Sequence, residues 1–500
     1  LRMDERSTTS CILYLNGAYW GVYEMREKVD DSDFTDYYYD QDKNNLQYLK
    51  TWGGTWTEYG APNAQPDWNT FVNYVAANPM VNQANYNQAK SEYNTGSLID
   101  YFLLNSYVVC QDWLNWNTAW WRGMDPNGDK KKWRYTLWDM DNTFDHGTNY
   151  TGIPSSNPAA SPCDPSTLGN TGGQGHVPIW NEMLTNEEFH DEYINRWQDL
   201  ANGPLSCTFM VNLLDSMIAV IEPEMQGQVT KWGGTYAGWQ NNVTTLRNFI
   251  LARCDSMNSG FVDCDPEITG PYDVTVQIIG IGEVEMSNGN FINNLNTPWT
   301  DQRFGGIALP FEVKSGSFDH WEVISTNAYI YDQNVDTLVI DLQGDVIVRA
   351  YFIPTKNITY NVIPAGTVTT MIVDGIVINT FPTSINYMID DTVNILPIID
   401  PLYGFSTWSS DSVTLMPLAA NMTDSFYASN DDTVTLHIYK KPTIIYDIKP
   451  PGTTTSISIN GNIISNFPYS ETVFIDDLNS ITPSVDPQFV FSSWRIDSNT

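Results

Sequence analysis

Apolar and aromatic residues dominate positions 12–15 and 19–25 on either side of Asn16-Gly17. That dipeptide supplies the two positive-φ residues of a type I′ turn, so the stretch predicts a β-hairpin. Apolar positions then recur at helical spacing over 70–75 and over 97–110, where Leu98, Tyr101, Phe102, Leu104, Asn105 and Val108 predict a long, buried scaffold helix. Two strands, 118–122 and 132–137, flank the turn Asp125-Pro126-Asn127-Gly128-Asp129. Beyond about residue 265 the pattern changes to short alternating strands such as 369–373 and 433–438. These are broken by Asp-Gly, Asn-Gly or Pro-containing turns, which predicts all-β modules.

This second region repeats. Tyr360, Gly366, Gly375, Phe381-Pro382, Asp390-Asp391, Asp400-Pro401, Phe405 and Trp408 recur 86 residues later as Tyr446, Gly452, Gly461, Phe467-Pro468, Asp476-Asp477, Asp486-Pro487, Phe491 and Trp494. A divergent first copy starts near Tyr272, its Phe318-Asp319-His320-Trp321 matching the FxxW of the other two. The division that follows is an N-terminal domain over 1–265, then modules over 266–355, 356–441 and 442–500, the third cut short after its Trp. The Pro/Gly punctuation of 265–271 reads as a linker, so the modules are expected to fold independently of the first domain. The Asp-Asp pairs Asp390/Asp391 and Asp476/Asp477 offer carboxylates to Ca²⁺, against the plainer reading of solvated acidic turns. The modules resemble tandem β-rich repeats of bacterial surface proteins, which implies a spacer or adhesive role.

Composition narrows the class. At roughly 150 residues per domain, 500 residues suggest about three domains. Twenty-four Lys+Arg against 59 Asp+Glu give a net charge of −35, which repels phosphate backbones and excludes nucleic acid as an expected partner. No apolar run approaches the roughly 18–20 residues that span a bilayer. The first residue is Leu1 and the third module stops inside its repeat, so both ends are expected to be cut and any targeting segment to lie outside them. Cys11, Cys110, Cys163, Cys207, Cys254 and Cys264 all precede residue 265, as do 14 of the 18 Trp. Six cysteines outside any CxxC spacing suit an oxidising, extracellular setting with up to three disulfides, whose pairing stays open, against the alternative of buried cytosolic thiols.

The chemistry concentrates between residues 112 and 144. Asp112 and Asn117 form a DxxxxN loop, a hairpin follows, and Trp138-Asp139-Met140-Asp141 supplies a DxD turn. Protein kinases use the same order: an Asp that accepts the substrate proton, an Asn five residues on that holds Mg²⁺, two strands, and a metal-binding Asp. Taken singly, each of these residues has a plain reading as a helix end, a turn or a strand end; the order is what argues for a site.

The segment resembles the CotH family of atypical secretory kinases, known from bacterial spore-coat protein H. The residues that carry the likeness are the hairpin from Leu15 to Glu27, Tyr101 to Asn105, Asp112, Asn117, Asp139, Asp141, and the helix from Leu246 to Arg253. The resemblance covers roughly 8–260. It implies a diverged, N-terminally truncated α+β protein-kinase-like domain ahead of the all-β tandem repeats, transferring phosphate from ATP to Ser/Thr of secreted or surface proteins with Mg²⁺ or Mn²⁺. Asp112 is then the catalytic base, Asn117 and Asp139 metal ligands, Asp141 a second ligand or support, and Glu27 an organiser of the nucleotide site. No GxGxxG loop or VAIK-type lysine is present, and Lys50 is the substitute for the phosphate-gripping lysine expected upstream. The Phe-Gly that usually follows the DxD turn is replaced by 143–147, where His146 is a further phosphate candidate. The implied location is secreted or at a bacterial cell surface. The competing readings are a catalytically inactive kinase-like scaffold and a surface adhesin. In the adhesin, Trp-rich pieces such as Trp52-Gly-Gly-Thr-Trp56 and Trp232-Gly-Gly-Thr-Tyr236 would stack on a cell-surface glycan.

Overall fold

The computed structural model describes residues 1–29, 31–60, 63–287, 289–325, 327–416, 422–474 and 477–496. Asn16 and Gly17 take φ of 51° and 79°, so the chain reverses between β1 (Thr8–Leu15) and β2 (Ala18–Arg26) as that dipeptide dictates. After α1 (Ser32–Tyr39), a second hairpin joins β3 (Leu46–Trp52) to β4 (Gly54–Gly60). Three helices follow: α2 (Ala64–Ala77), α3 (Gln83–Glu92) and α4 (Thr95–Tyr107). The chain then returns as β5 (Thr118–Gly123) and β6 (Arg134–Thr136), completing an antiparallel sheet of order β4-β3-β5-β6. Both faces of its centre are covered. Leu49 and Trp120 enter the main core, while Leu46, Tyr48, Ala119 and Trp121 form a cluster of their own.

α4 is buried almost throughout, as expected of a helix apolar on most sides. α5 (His176–Met183) and α6 (Glu187–Asn202) close the core against it. A helical hairpin of α7 (Cys207–Trp232) and α8 (Tyr236–Cys264) follows. The Trp232-Gly-Gly-Thr-Tyr236 piece is the turn between them, and Trp52-Gly-Gly-Thr-Trp56 is the β3–β4 turn. Cys163 is bridged to Cys264 at the end of α8, and the other four cysteines are thiols. Among the described residues no single helix is long and apolar enough to cross a membrane.

The first compact unit runs from Leu1 to Phe352 and so takes in the first β-module. Only residues 265–268 separate α8 from the strand Thr269–Ile279, so the Pro/Gly punctuation read as a linker opens a strand instead. The module is a sandwich. One sheet orders Trp299–Gly305, Thr269–Ile279, Val346–Phe352 and Phe318–Ile324; the other has five strands, and Val276, Val284, Phe311, Leu338 and Val348 fill the space between them. Arg303, fully buried, bonds Asp301 (2.7 Å) on its own strand and Asp199 on α6, and Asp199 also accepts from Ser287 (3.1 Å) and Asn290 (2.6 Å).

The second unit, Ile353–Thr500, begins with a sandwich of the same design. In both modules the first and last strands pair in parallel, Thr269–Ile279 with Val346–Phe352 and Thr355–Ile363 with Asp432–Lys440. In both, the FxxW strand lies antiparallel to the last strand with a bulge inside the motif, which seats Trp321 and Trp408 in their cores. Strands Ser456–Ile459 and Asn462–Ile464 of the third copy stand 86 residues after Thr370–Val373 and Ile376–Ile378. Asp391 caps its turn by accepting from Met388 N (2.9 Å), as Asp477 does from Phe474 N (3.0 Å). Asp476 lies outside the described residues.

Candidate active site

α4 starts on the Asn94 side chain, which accepts from Ser97 N at 3.0 Å, and it stops at Tyr107 because Val109 turns the backbone to φ 49°. The next residues form a loop pinned by its own core contacts. Trp113 N donates to Thr151 Oγ1 (2.8 Å), Leu114 N donates to Thr118 Oγ1 (2.8 Å), and both Trp113 and Leu114 are buried. Asp112 and Asn117 therefore stand on a rigid loop between a buried helix and a central strand.

The second half of the site is brought to the same place by backbone bonds. Gln111 N donates to Asn142 O (3.0 Å) and Phe144 N to Val108 O (2.7 Å), which holds the 139–144 segment beside the 108–112 segment. Asn117 Nδ2 donates to Asp112 Oδ2 at 3.0 Å and lies 3.5 Å from Asp139 O. Asn117 and Asp139 both take positive φ, 47° and 55°, conformations that Asn and Asp adopt at less cost than most residues. Burial, and after it the negative charges of Asp141 and Asp139, hold the Asp112 carboxyl above the usual aspartate range; the Asn117 bond pulls the other way. Asp112 thus holds the Asn117 amide and feels the charges of two further carboxylates.

These residues suit a divalent cation. The Oδ1 atoms of Asp112 and Asn117 are buried without a partner, and the mutual repulsion felt by Asp112 is what a bound cation relieves. No group of three His, Cys, Asp or Glu among the described residues is placed to hold a metal ion by itself, so the Asn117 amide would have to take part. Asn117, Asp139 and Asp141 would hold the ion as an open, oxygen-only set of the kind Mg²⁺ accepts.

Lys50 sits on β3, 6% exposed, its Nζ 3.9 Å from the ring centre of Trp138, the residue before Asp139. At the base of the first hairpin Glu27 accepts from the Tyr38 hydroxyl and from Ser7 N (2.9 Å), bonds that draw its carboxyl below the usual range. No bond described for Glu27 reaches the Asp112 cluster. His146 is exposed in the loop beyond it. In the two pieces weighed for sugar stacking, Trp52, Trp56 and Trp232 are exposed, whereas Trp113, Trp120 and Trp121 are core.

Two supporting groups were assigned no role in the sequence. Asp4 is buried between Arg134 (2.8 and 3.0 Å), Trp121 Nε1 (2.6 Å) and the Tyr39 hydroxyl (2.7 Å), anchoring the first residues to the strand that leads into Asp139. Arg253 of α8 is fully buried and donates to Ser106 O (2.7 Å), Tyr107 O (3.0 Å), Pro158 O (2.9 Å) and Ala160 O, so it braces the end of α4 just ahead of Asp112. Burial lowers its guanidinium to about 10. The available signal was an Arg inside the stripe Phe249, Ile250, Met257, Phe261, where a cation is out of place unless it is fully bonded.

No curated protein matches the chain. Among solved structures, it is similar to the pilus adhesin SpaC from Lactobacillus rhamnosus GG at 10% identity and a TM-score of 0.17, over 44% of this chain and 34% of that one. The chain thus spans about a third of the adhesin. It is also similar to the major pilin protein (T-13) from Streptococcus pyogenes at 9% identity and a TM-score of 0.14, over 35% of this chain and 99% of that one. Neither value marks a shared overall fold. The match that covers the site is to a protein family: residues 1–257, more than half of the 500, fit the family described as CotH kinase protein, and the chain belongs to that family.

Proposed function

We propose that this protein is a secreted or surface-displayed phosphotransferase of protein-kinase-like fold, moving the γ-phosphoryl group of ATP onto Ser or Thr hydroxyls of secreted or surface proteins. The observation that carries the reading is the Asn117 amide bonded to Asp112 at 3.0 Å, with Asp139 and Asp141 acting on the same carboxyl. Asp112 accepts the proton of the attacking hydroxyl. The hydroxyl oxygen bonds to the γ-phosphorus as the bond to the β–γ bridging oxygen breaks, and ADP leaves with that oxygen. Asn117 has a divided role: its Nδ2 orients Asp112, and its unpartnered Oδ1 is free to face a metal ion together with Asp139 and Asp141. Mg²⁺ or Mn²⁺ bound there supplies positive charge against the phosphates. Lys50 adds a buried cation next to Trp138. Glu27 supports the hairpin and is assigned no contact with nucleotide.

The test is incubation with γ-labelled ATP and Mn²⁺ or Mg²⁺, with the chain itself and a Ser/Thr-rich protein as acceptors. Label on either, reduced by roughly 10² to 10⁴ in Asp112→Asn, supports the proposal. Nucleotide binding without transfer points to an inactive scaffold. Glycan binding without nucleotide binding points to the adhesin.

A further inference from the structure

Cys207 is the first residue of α7, Cys254 lies in the second half of α8, and the two helices pack together. Arg247 of α8 donates to Asp215 of α7 (3.1 Å), seven residues before Cys254 and eight after Cys207, so the antiparallel helical hairpin brings the two cysteines to the same level, where each thiol acts on the other. The Tyr107 hydroxyl is 3.6 Å from Cys254 Sγ, which places the pair beside the last turn of α4. The same helix already carries one bridge, from Cys264 to Cys163. We propose that Cys207 and Cys254 form a second disulfide in the mature protein, stapling the start of α7 to α8. α8 is then tied at two places, ten residues apart, and the first tie directly follows Arg253, the brace on the carbonyls of Ser106 and Tyr107. The staple therefore fixes the helix that positions the chain entering the Asp112 loop. Cys11 and Cys110 are left as thiols.

The chemistry balances against a disulfide of the glutathione class. The two thiols lose two protons and two electrons, the Sγ–Sγ bond forms, and oxidised glutathione is cleaved to two thiols by way of a mixed disulfide. Burial and the neighbouring sulfur push the Cys207 thiol up to about 12, so its thiolate is scarce at neutral pH and closure is slow there. Oxidation is accordingly carried out at about pH 9, nearer the thiol range.

After that treatment the whole chain is quenched with acid, unfolded and alkylated without reduction. Alkylation of Cys11 and Cys110 alone, with a joined peptide pair carrying Cys207 and Cys254 that separates on reduction, is the expected result. In Cys207→Ser the alkylated set gains Cys254. Four alkylated cysteines, a glutathione adduct on Cys207 or Cys254 with no joined peptide, or Cys207 joined to any other cysteine would overturn the proposal. None of these readouts depends on phosphotransfer, so the pairing stands or falls apart from the kinase reading.

Discussion

Arg303→Met removes one buried cation and leaves two buried carboxylates facing each other. The side chains of Asp199 and Asp301 are each 5% exposed, and Asp199 raises the Asp301 carboxyl, which burial has already raised, once Arg303 no longer opposes it. Met keeps most of the length of the Arg stem, so the loss is mainly electrostatic. Breaking a buried pair from one side costs about 3–5 kcal/mol, against about 0–1 for an exposed pair. Protonation sets the ceiling: neutralising one ordinary aspartate at pH 7 costs about 4 kcal/mol, and at pH 5 about 1.5 kcal/mol. The expected destabilisation is therefore about 3–4 kcal/mol at pH 7, shrinking to about 1–2 kcal/mol at pH 5. Because 16 of the 18 Trp, all but Trp408 and Trp494, lie in Leu1–Phe352, denaturant unfolding followed by Trp fluorescence reports mainly this unit. A loss below about 1 kcal/mol at pH 7, or one of equal size at both pH values, would refute the reasoning. So would wild-type unfolding in which the first β-module and the N-terminal region melt separately.

Three further outcomes follow from single groups. His190 lies 2.7 Å from Asp265 and 3.5 Å from Asp191; burial lowers its pKa, but the two carboxylates outweigh burial and raise it to about 9. With the folded value above the ordinary one of about 6.5, its contribution, about 3 kcal/mol, is complete below pH 6.5 and fades as pH rises through 9. A flat stability profile between pH 6 and 10 in wild type, or an unchanged one in His190→Gln, would count against it. Arg253→Lys offers one ammonium where four carbonyls now find a guanidinium, so thermal stability should drop by several degrees and phosphotransfer should weaken with it; a wild-type melting curve would contradict the bracing role. Asn117→Ala removes the bond that favours charged Asp112, so the acid limb of the pH–rate profile should move to higher pH, and an unmoved limb would argue that Asp112 is not the base.

What could be read in the sequence was local or ordered along the chain. Asn16-Gly17 set its turn because two positive-φ positions leave few alternatives, and the 86-residue register became strands at the same offset. The order Asp112, Asn117, hairpin, Asp139 survives in space because short backbone bonds fold the two loops onto each other. Groups whose partners are remote were silent: Asp4 meets Arg134, and Asp199 meets Arg303, with no spacing to announce either. α7 went unread because it is mostly exposed, carries Pro223, and shows only Leu214 buried, so no apolar stripe marks it. Residues 265–271 misled in the other direction, since Gly270 and Pro271 sit at the head of a strand rather than in a linker. Glu27 was placed by likeness alone, and the structure bonds it to Ser7 and Tyr38.

The central claim assigns different work to two aspartates, and one titration separates them. Isothermal calorimetry of Mn·ATP is run on wild type, Asp139→Asn and Asp112→Asn, with phosphotransfer measured on the same preparations. Asp139→Asn removes a ligand charge at constant size, so nucleotide–metal affinity and transfer should fall together. Asp112→Asn should bind near normally yet lose roughly 10² to 10⁴ in turnover. Equal binding by both variants, or no heat of Mn·ATP binding to the wild type, would contradict the account.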